Sequence, residues 1–286
     1  MIPLLAAMLL LAPTSLASAE VLAAPPPAVR YLTLNLLHGG LLSGLTGNDQ
    51  DLEGRLAVVA ADLRALAVDV VGLQEASWSR QRGNVAARLA AELGFHHVYA
   101  PAAFRNRLVA PLMNFTEGPA ILSRFPIVRW ESHDLPRCGR LVDPRVLLFA
   151  EVQTPWGRLA VFSTHTSGDP CHTRRVVELV QERRGALPAV LMGDFNAVEG
   201  SPAIAALTDE AGFFDAFRLA NPTAAPPTQR QVILSDSPSG RLRRASGARR
   251  SAKSPSHSSS PNNPHGRKIR ISPITAYMIT IAVSGR

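Results

Sequence analysis

Polar residues that close apolar, strand-like runs are the informative ones in this chain, because strand ends aim side chains into a shared rim. Asn35 closes Arg30-Tyr-Leu-Thr-Leu-Asn, and Glu75 closes Val70-Val-Gly-Leu-Gln-Glu. His165 closes Ala160-Val-Phe-Ser-Thr-His, and Asp194 and Asn196 close Val190-Leu-Met-Gly-Asp-Phe-Asn. A hard cation such as Mg²⁺ takes carboxylate and carbonyl oxygens and often only one or two protein carboxylates. Glu75 is a carboxylate placed for that. Asn35 offers a neutral oxygen and two N–H donors. Asp194 and Asn196 stand two apart, so on an extended segment they face the same side. Taken singly, each has a plain reading, since a strand-terminal Asn or Asp is a common turn former.

The elements that must carry these residues alternate between the two periodicities. Residues 30–35 form a strand, and Leu52, Leu56, Val59, Leu63 and Leu66 recur at helical spacing over 52–67. Residues 68–73 form a buried strand, and Asn84 caps a helix with Val85, Leu89 and Leu93 on one face. Strand-like runs follow at 96–100, 118–123, 127–134, 145–153 and 158–164, the last two joined by a Thr-Pro-Trp-Gly turn. A helix over 173–184, a strand over 188–192 and a short helix over 201–207 complete an α+β layered domain.

With 46% hydrophobic and 18% charged residues, 286 residues can bury a sizeable core, which excludes a wholly disordered chain. The net charge of +8 is uneven. Residues 222–286 hold 11 Lys+Arg and one acid, Asp236, whereas residues 1–221 hold 19 Arg, 21 acids and no lysine. The body therefore lacks the basic balance of a nucleic-acid binder. The tail after 221, rich in Ser, Pro and Arg, has no apolar periodicity and reads as disordered.

Residues 1–19 read as a signal peptide: an apolar stretch from Ile2 to Ala12, then Ala17-Ser18-Ala19, a small-residue cleavage pattern. No Lys or Arg precedes Arg30, so the usual positive start is missing, and an uncleaved membrane anchor is the variant reading. The expected location is secreted or periplasmic. No later apolar run reaches the roughly 18 residues of a spanning helix. The two cysteines, Cys138 and Cys171, sit in loop-like contexts and suit one disulfide in an oxidising compartment, two free thiols being the alternative. A bridge would hold the loop leaving His165. Two cysteines cannot build a four-ligand zinc site by themselves.

In order and context, the segments NLLHG (35–39), GLQE (72–75), GPAILSRFPI (118–127), VFSTHTSGDP (161–170) and MGDFN (192–196) resemble the endonuclease/exonuclease/phosphatase family. The resemblance covers residues 29–221. It implies an α+β fold, a four-layer α/β sandwich of two mostly antiparallel sheets packed face to face and flanked by helices. It implies metal-assisted, in-line attack of water on a phosphate ester, with Mg²⁺ (or Mn²⁺ or Ca²⁺) as cofactor. Glu75 matches the main metal ligand and Asn35 the Asn beside metal and phosphate. Asp194 matches the residue that orients or activates water, Asn196 a donor to a phosphate oxygen, and His165 the His that stabilises the pentacovalent transition state. His38 belongs to a subset of the family, as a substrate contact. The substrate is a lipid headgroup, a nucleic acid or a small organic phosphate, on a monomer with no stable protein partner implied. Arg124, Glu117, Asp169, the pair Arg174-Arg175 and the pair His96-His97 read instead as structural or solvated residues.

The resemblance ends near Val232. The family's closing Ser-Asp-His is missing, since Ser235-Asp236 is followed by Ser237. A reading-frame change near Val232 would account for the lost motif, the lysines and the composition break together, and the other frames should then encode the motif. The expectation is a C-terminally incomplete domain whose activity is impaired, or a non-catalytic relative that binds phosphate-bearing ligands.

Overall fold

A computed structural model of the chain describes residues 29–37, 51–102, 112, 114–139, 144–220, 222–223, 231–232, 274–275 and 281–283. The signal segment, His38 and most of the basic tail lie outside the described residues. Two sheets form the centre. The first has strand order β1-β2-β5-β4, from β1 (Tyr31–Asn35), β2 (Val70–Ser79), β4 (His96–Tyr99) and β5 (Thr116–Ser123), with the short β3 (Gly83–Asn84) paired to β2. The second runs β10-β13-β9-β8-β7-β6. Its strands are β6 (Ile127–Asp134), β7 (Val146–Thr154), β8 (Gly157–His165), β9 (Ala189–Asp194), β10 (Phe214–Asp215) and β13 (Ile281–Val283). Residues 231–232 and 274–275 form a separate two-stranded ladder, β11 and β12. Pairings are antiparallel except β1 with β2 and β8 with β9.

Three apolar clusters make four layers. Between the sheets lie Val70, Val98, Ile121, Val146, Leu148, Val161, Val190 and Met192. The first sheet's outer face packs on α1 (Leu52–Ala65) and α2 (Val85–Leu93). The second packs on α3 (Pro170–Arg184) and α4 (Pro202–Ala205), which continues as a π-helical turn to Glu210. Leu52, Leu56, Val59 and Leu63 are buried along α1, as their spacing predicts, whereas Leu66, expected on the same face, lies just past the helix end and is exposed. Gly94, at φ 69°, ends α2, the left-handed position that glycine fills best. α3 starts three residues before its apolar periodicity, because Asp169 caps it through the Cys171 N–H and Pro170 fits the first turn. β2 is buried on both faces over Val70–Gln74. The sheets come close there: a Cβ on Gly72 would stand 2.9 Å from the Met192 Cβ.

This architecture sets the position of the site. β1 runs parallel to β2, and β8 parallel to β9, so each pair presents two carboxyl ends on one side. β1 faces β9 and β2 faces β8 across the inter-sheet core. The ends carrying Asn35, His165 and Asp194 therefore meet Glu75, which does not close its strand as the sequence suggested but lies midway along β2, where the ladder is interrupted before resuming at Ala76.

Candidate active site

Asn35, buried at the end of β1, is the hub. Its Nδ2 donates to Glu75 Oε1 at 3.0 Å and to Asp194 Oδ2 at 3.1 Å, joining the two sheets. Its Oδ1 accepts from the Leu37 N–H at 2.9 Å, an Asx-type turn that bends the chain out of the strand. Glu75 reaches this hub through an irregularity in β2. The β2–β5 register shifts between Leu73 and Ala76, and Glu75 adopts φ 53°. A bulge of this kind re-aims a side chain at the edge of a sheet.

On the other sheet, Asp194 ends β9 and is 3% exposed. Burial raises its pKa above the ordinary carboxylate value, and the charge of Glu75 adds to the rise. The donors from Asn35 and from the Asn196 N–H, with the charge of Arg145, act in the opposite direction. The sequence places Asp194 and Asn196 on one side of an extended segment, but the structure brings them together differently. Asn196 is left-handed, at φ 49°, and its N–H turns back onto Asp194 Oδ1 at 3.0 Å. A turn, and not strand alternation, aligns the pair.

His165 Nε2 lies 2.9 Å from Asn196 Nδ2 and 3.8 Å from Asp194 Oδ2. Asn196 Nδ2 also donates to the Thr166 carbonyl at 2.8 Å, which fixes the amide's orientation. An amide nitrogen only donates, so Nε2 is the acceptor in this contact. Five of the residues singled out in the sequence, Asn35, Glu75, His165, Asp194 and Asn196, thus form one hydrogen-bonded rim. His38 lies outside the described residues.

The donor set fits a hard divalent cation. Two carboxylates converge on one amide nitrogen, and the buried one is held in a field that disfavours its charge, which added positive charge would relieve. Among the described residues, the tight group of ligand-type atoms is Cys138, Asp169 and Cys171, but its two sulfurs form the Cys138–Cys171 disulfide, with Cα atoms 5.9 Å apart. That bridge ties the loop after β6 to the start of α3, which follows the His165 loop.

Beside it lies a residue the sequence reading missed. His172 is fully buried, its Nε2 2.7 Å from the Pro136 carbonyl, while Nδ1 accepts from the Ser167 N–H. It fastens the same two loops, and only its place next to Cys171 hinted at this. Arg145, which acts on Asp194 by its charge, was also missed; the signal was a cation directly before an apolar strand.

The residues given structural readings have structural partners. Arg124 pairs with Asp69 at 3.0 Å, Asp169 caps α3, and Arg174 and Arg175 pair with Glu210 and Glu178. His96 and His97 stand exposed on β4, and Glu117 is half-buried on β5. A groove of about 410 Å³, lined by Tyr31, Trp156, Arg158 and Pro188 among others, lies at the opposite end of these strands.

A family model described as "Endonuclease/Exonuclease/phosphatase family" matches residues 32–264. No curated protein matches the sequence. Among solved structures, an endonuclease/exonuclease/phosphatase from Beutenbergia cavernae is 25% identical with a TM-score of 0.52, covering 66% of this chain. The chain spans 55% of that protein's length. The human Nocturnin catalytic domain with bound sulfate is 19% identical, TM-score 0.56, over 70% of this chain and 77% of its own. The Bacteroides thetaiotaomicron mannosyl-6-phosphatase Bt3783 is 18% identical, TM-score 0.52, over 67% and 74%. The last two likenesses establish the fold.

Proposed function

The chain belongs to the endonuclease/exonuclease/phosphatase family, whose phosphoester hydrolases generally depend on a divalent metal, and from that premise we propose that it is an exported, Mg²⁺-dependent hydrolase of phosphate esters. The observation that carries this reading is the single rim formed by Asn35, Glu75, His165, Asp194 and Asn196. Glu75 and Asn35 would hold the ion, which when bound offsets phosphate charge and acidifies a coordinated water. Asp194 takes the proton of the attacking water. Its raised pKa brings it nearer to the range of a useful general base, while N–H groups of Asn35 and Asn196 keep it oriented. The Asn196 amide and His165 lie side by side, where they would stabilise the phosphate oxygens as charge builds in the transition state.

Export is supported by the disulfide and the Ala17-Ser18-Ala19 pattern. The near-neutral body favours a lipid headgroup or a small organic phosphate over nucleic acid. A second reading, a binding protein without turnover, is favoured by the missing Ser-Asp-His after Val232. The test is hydrolysis of DNA, sphingomyelin and bis-p-nitrophenyl phosphate by the purified full chain with Mg²⁺. Turnover abolished by chelator and by Glu75→Ala supports the hydrolase; phosphate-ligand binding with no turnover on any substrate supports the second reading.

A further inference from the structure

Glu75 is held in a conformation that its own backbone disfavours. It sits off the β2–β5 ladder with φ 53°, and such residues persist only where their surroundings over-determine them. The residue just before it supplies that determination. Gln74 is 1% exposed between the sheets. Its carbonyl accepts from the Leu36 N–H at 2.9 Å. Its Nε2 donates to Thr33 Oγ1 at 3.1 Å and to Ser163 Oγ at 3.3 Å, with the Gly72 carbonyl at 3.4 Å. Thr33 Oγ1 stands 3.3 Å from Gln74 Oε1, and the Ser163 hydroxyl donates to the Leu73 carbonyl at 3.1 Å, at the edge of the irregularity.

The spacing of this network matters as much as its bonds. Thr33 stands two residues before Asn35 on β1, and Ser163 two before His165 on β8. Alternation along a strand puts each network residue beneath its site residue on the same face. One buried amide therefore ties together the three strands that carry Asn35, Glu75 and His165, across both sheets. Apolar side chains would fill an inter-sheet core at less desolvation cost, whereas a satisfied buried network selects one arrangement.

We propose that Gln74, with Thr33 and Ser163, is a positioning residue that sets the Glu75 carboxylate for divalent-ion binding. The inference rests on reading Glu75 as an ion ligand. Outer partners of metal ligands change affinity by roughly 10- to 100-fold when removed, and the Gln74 amide occupies that place.

The experiment titrates Mn²⁺ alone into the full, chelator-stripped chain, by calorimetry or the free-ion electron spin resonance signal, with melting curves in chelator alongside. Gln74→Leu should weaken Mn²⁺ binding by roughly 10- to 100-fold, and Ser163→Ala and Thr33→Val by less, about 3- to 10-fold. Thr33→Ser, which keeps the hydroxyl, should restore wild-type affinity. Ser163→Ala and Thr33→Val change so few atoms that they keep the test open if Gln74→Leu does not fold. Wild-type Mn²⁺ affinity in the network variants, with only the melting temperature lowered, would overturn the proposal while Glu75→Gln still abolishes binding. Unchanged binding in Glu75→Gln would overturn the metal reading of the site and this proposal with it.

Discussion

The same strands end very differently at the two ends of the sandwich. Where β7 turns into β8, Thr154 accepts from the Trp156 N–H at 3.2 Å and donates to the Gly157 carbonyl at 2.7 Å, closing a tight hairpin. Charges there are matched: Arg158 pairs with Glu151 at 2.9 Å, and Arg124 with Asp69 at 3.0 Å. Burial pushes the hydroxyl of the half-buried Tyr31 up to about 12, so it stays neutral. At the other end, two carboxylates share one amide, two site residues are left-handed, and the aspartate is pushed toward protonation. The first end satisfies its own groups. The second brings two carboxylates of different sheets onto one amide.

The largest test of that contrast is activity. Glu75→Gln or Asp194→Asn should lower kcat/KM on bis-p-nitrophenyl phosphate by about 10² to 10⁴ each. Arg158→Ala, at the other end, should change it less than about 2-fold, because a partly exposed ion pair contributes little. Equal losses at both ends would remove the distinction.

The disulfide comes next. It closes a separation of 33 residues, and Cys171→Ser should lower unfolding stability by roughly 3–4 kcal/mol in the chain-entropy model, read by urea unfolding. A loss below about 1 kcal/mol would mean that His172 and the surrounding packing hold the two loops without it.

Backbone closeness gives a smaller effect. A Cβ on Gly193 would lie 2.7 Å from the Thr164 carbonyl, so Gly193→Ala should push β8 from β9 just before His165 and Asp194. We expect about 1–3 kcal/mol of destabilisation, and a rise in KM beyond what lost folding explains.

The smallest effect is a pH dependence with an unusual sign. In chelator, the folded pKa of Asp194 is raised, so its contribution to stability is present at low pH and lost as pH rises through the folded value. Asp194→Asn should therefore be more stable than wild type at neutral pH, with the gap closing below about pH 4. A destabilised Asp194→Asn at neutral pH would contradict this, and activity would fall in the same variant.

Much of this is legible in the sequence. The α1 face, the Asn84 cap and the β7–β8 hairpin follow from spacing and turn chemistry, which act within a few residues. The early start of α3 was missed, because Pro170, Cys171 and His172 carry no apolar period while a cap and a proline set the helix boundary. The irregularity at Glu75 was hidden as well, since Val70–Gln74 reads as an unbroken buried strand. Gln74 seemed unremarkable because its partners lie 41 and 89 residues away.

By itself, the sequence determined that Asn35, His165 and Asp194 close apolar strands, the layered α+β class and the cysteine pair suited to a bridge. These depend on residue type and short-range periodicity. Only the tertiary structure decided that Asn35 joins Glu75 to Asp194 across two sheets, that Asn196 reaches His165 through a left-handed turn, and that a buried amide lies beneath them. Those contacts depend on how closely two sheets approach, at Gly72 against Met192, and on where a ladder slips between Leu73 and Ala76. Such distances are set by packing between segments far apart in the chain, and strand periodicity carries no record of them.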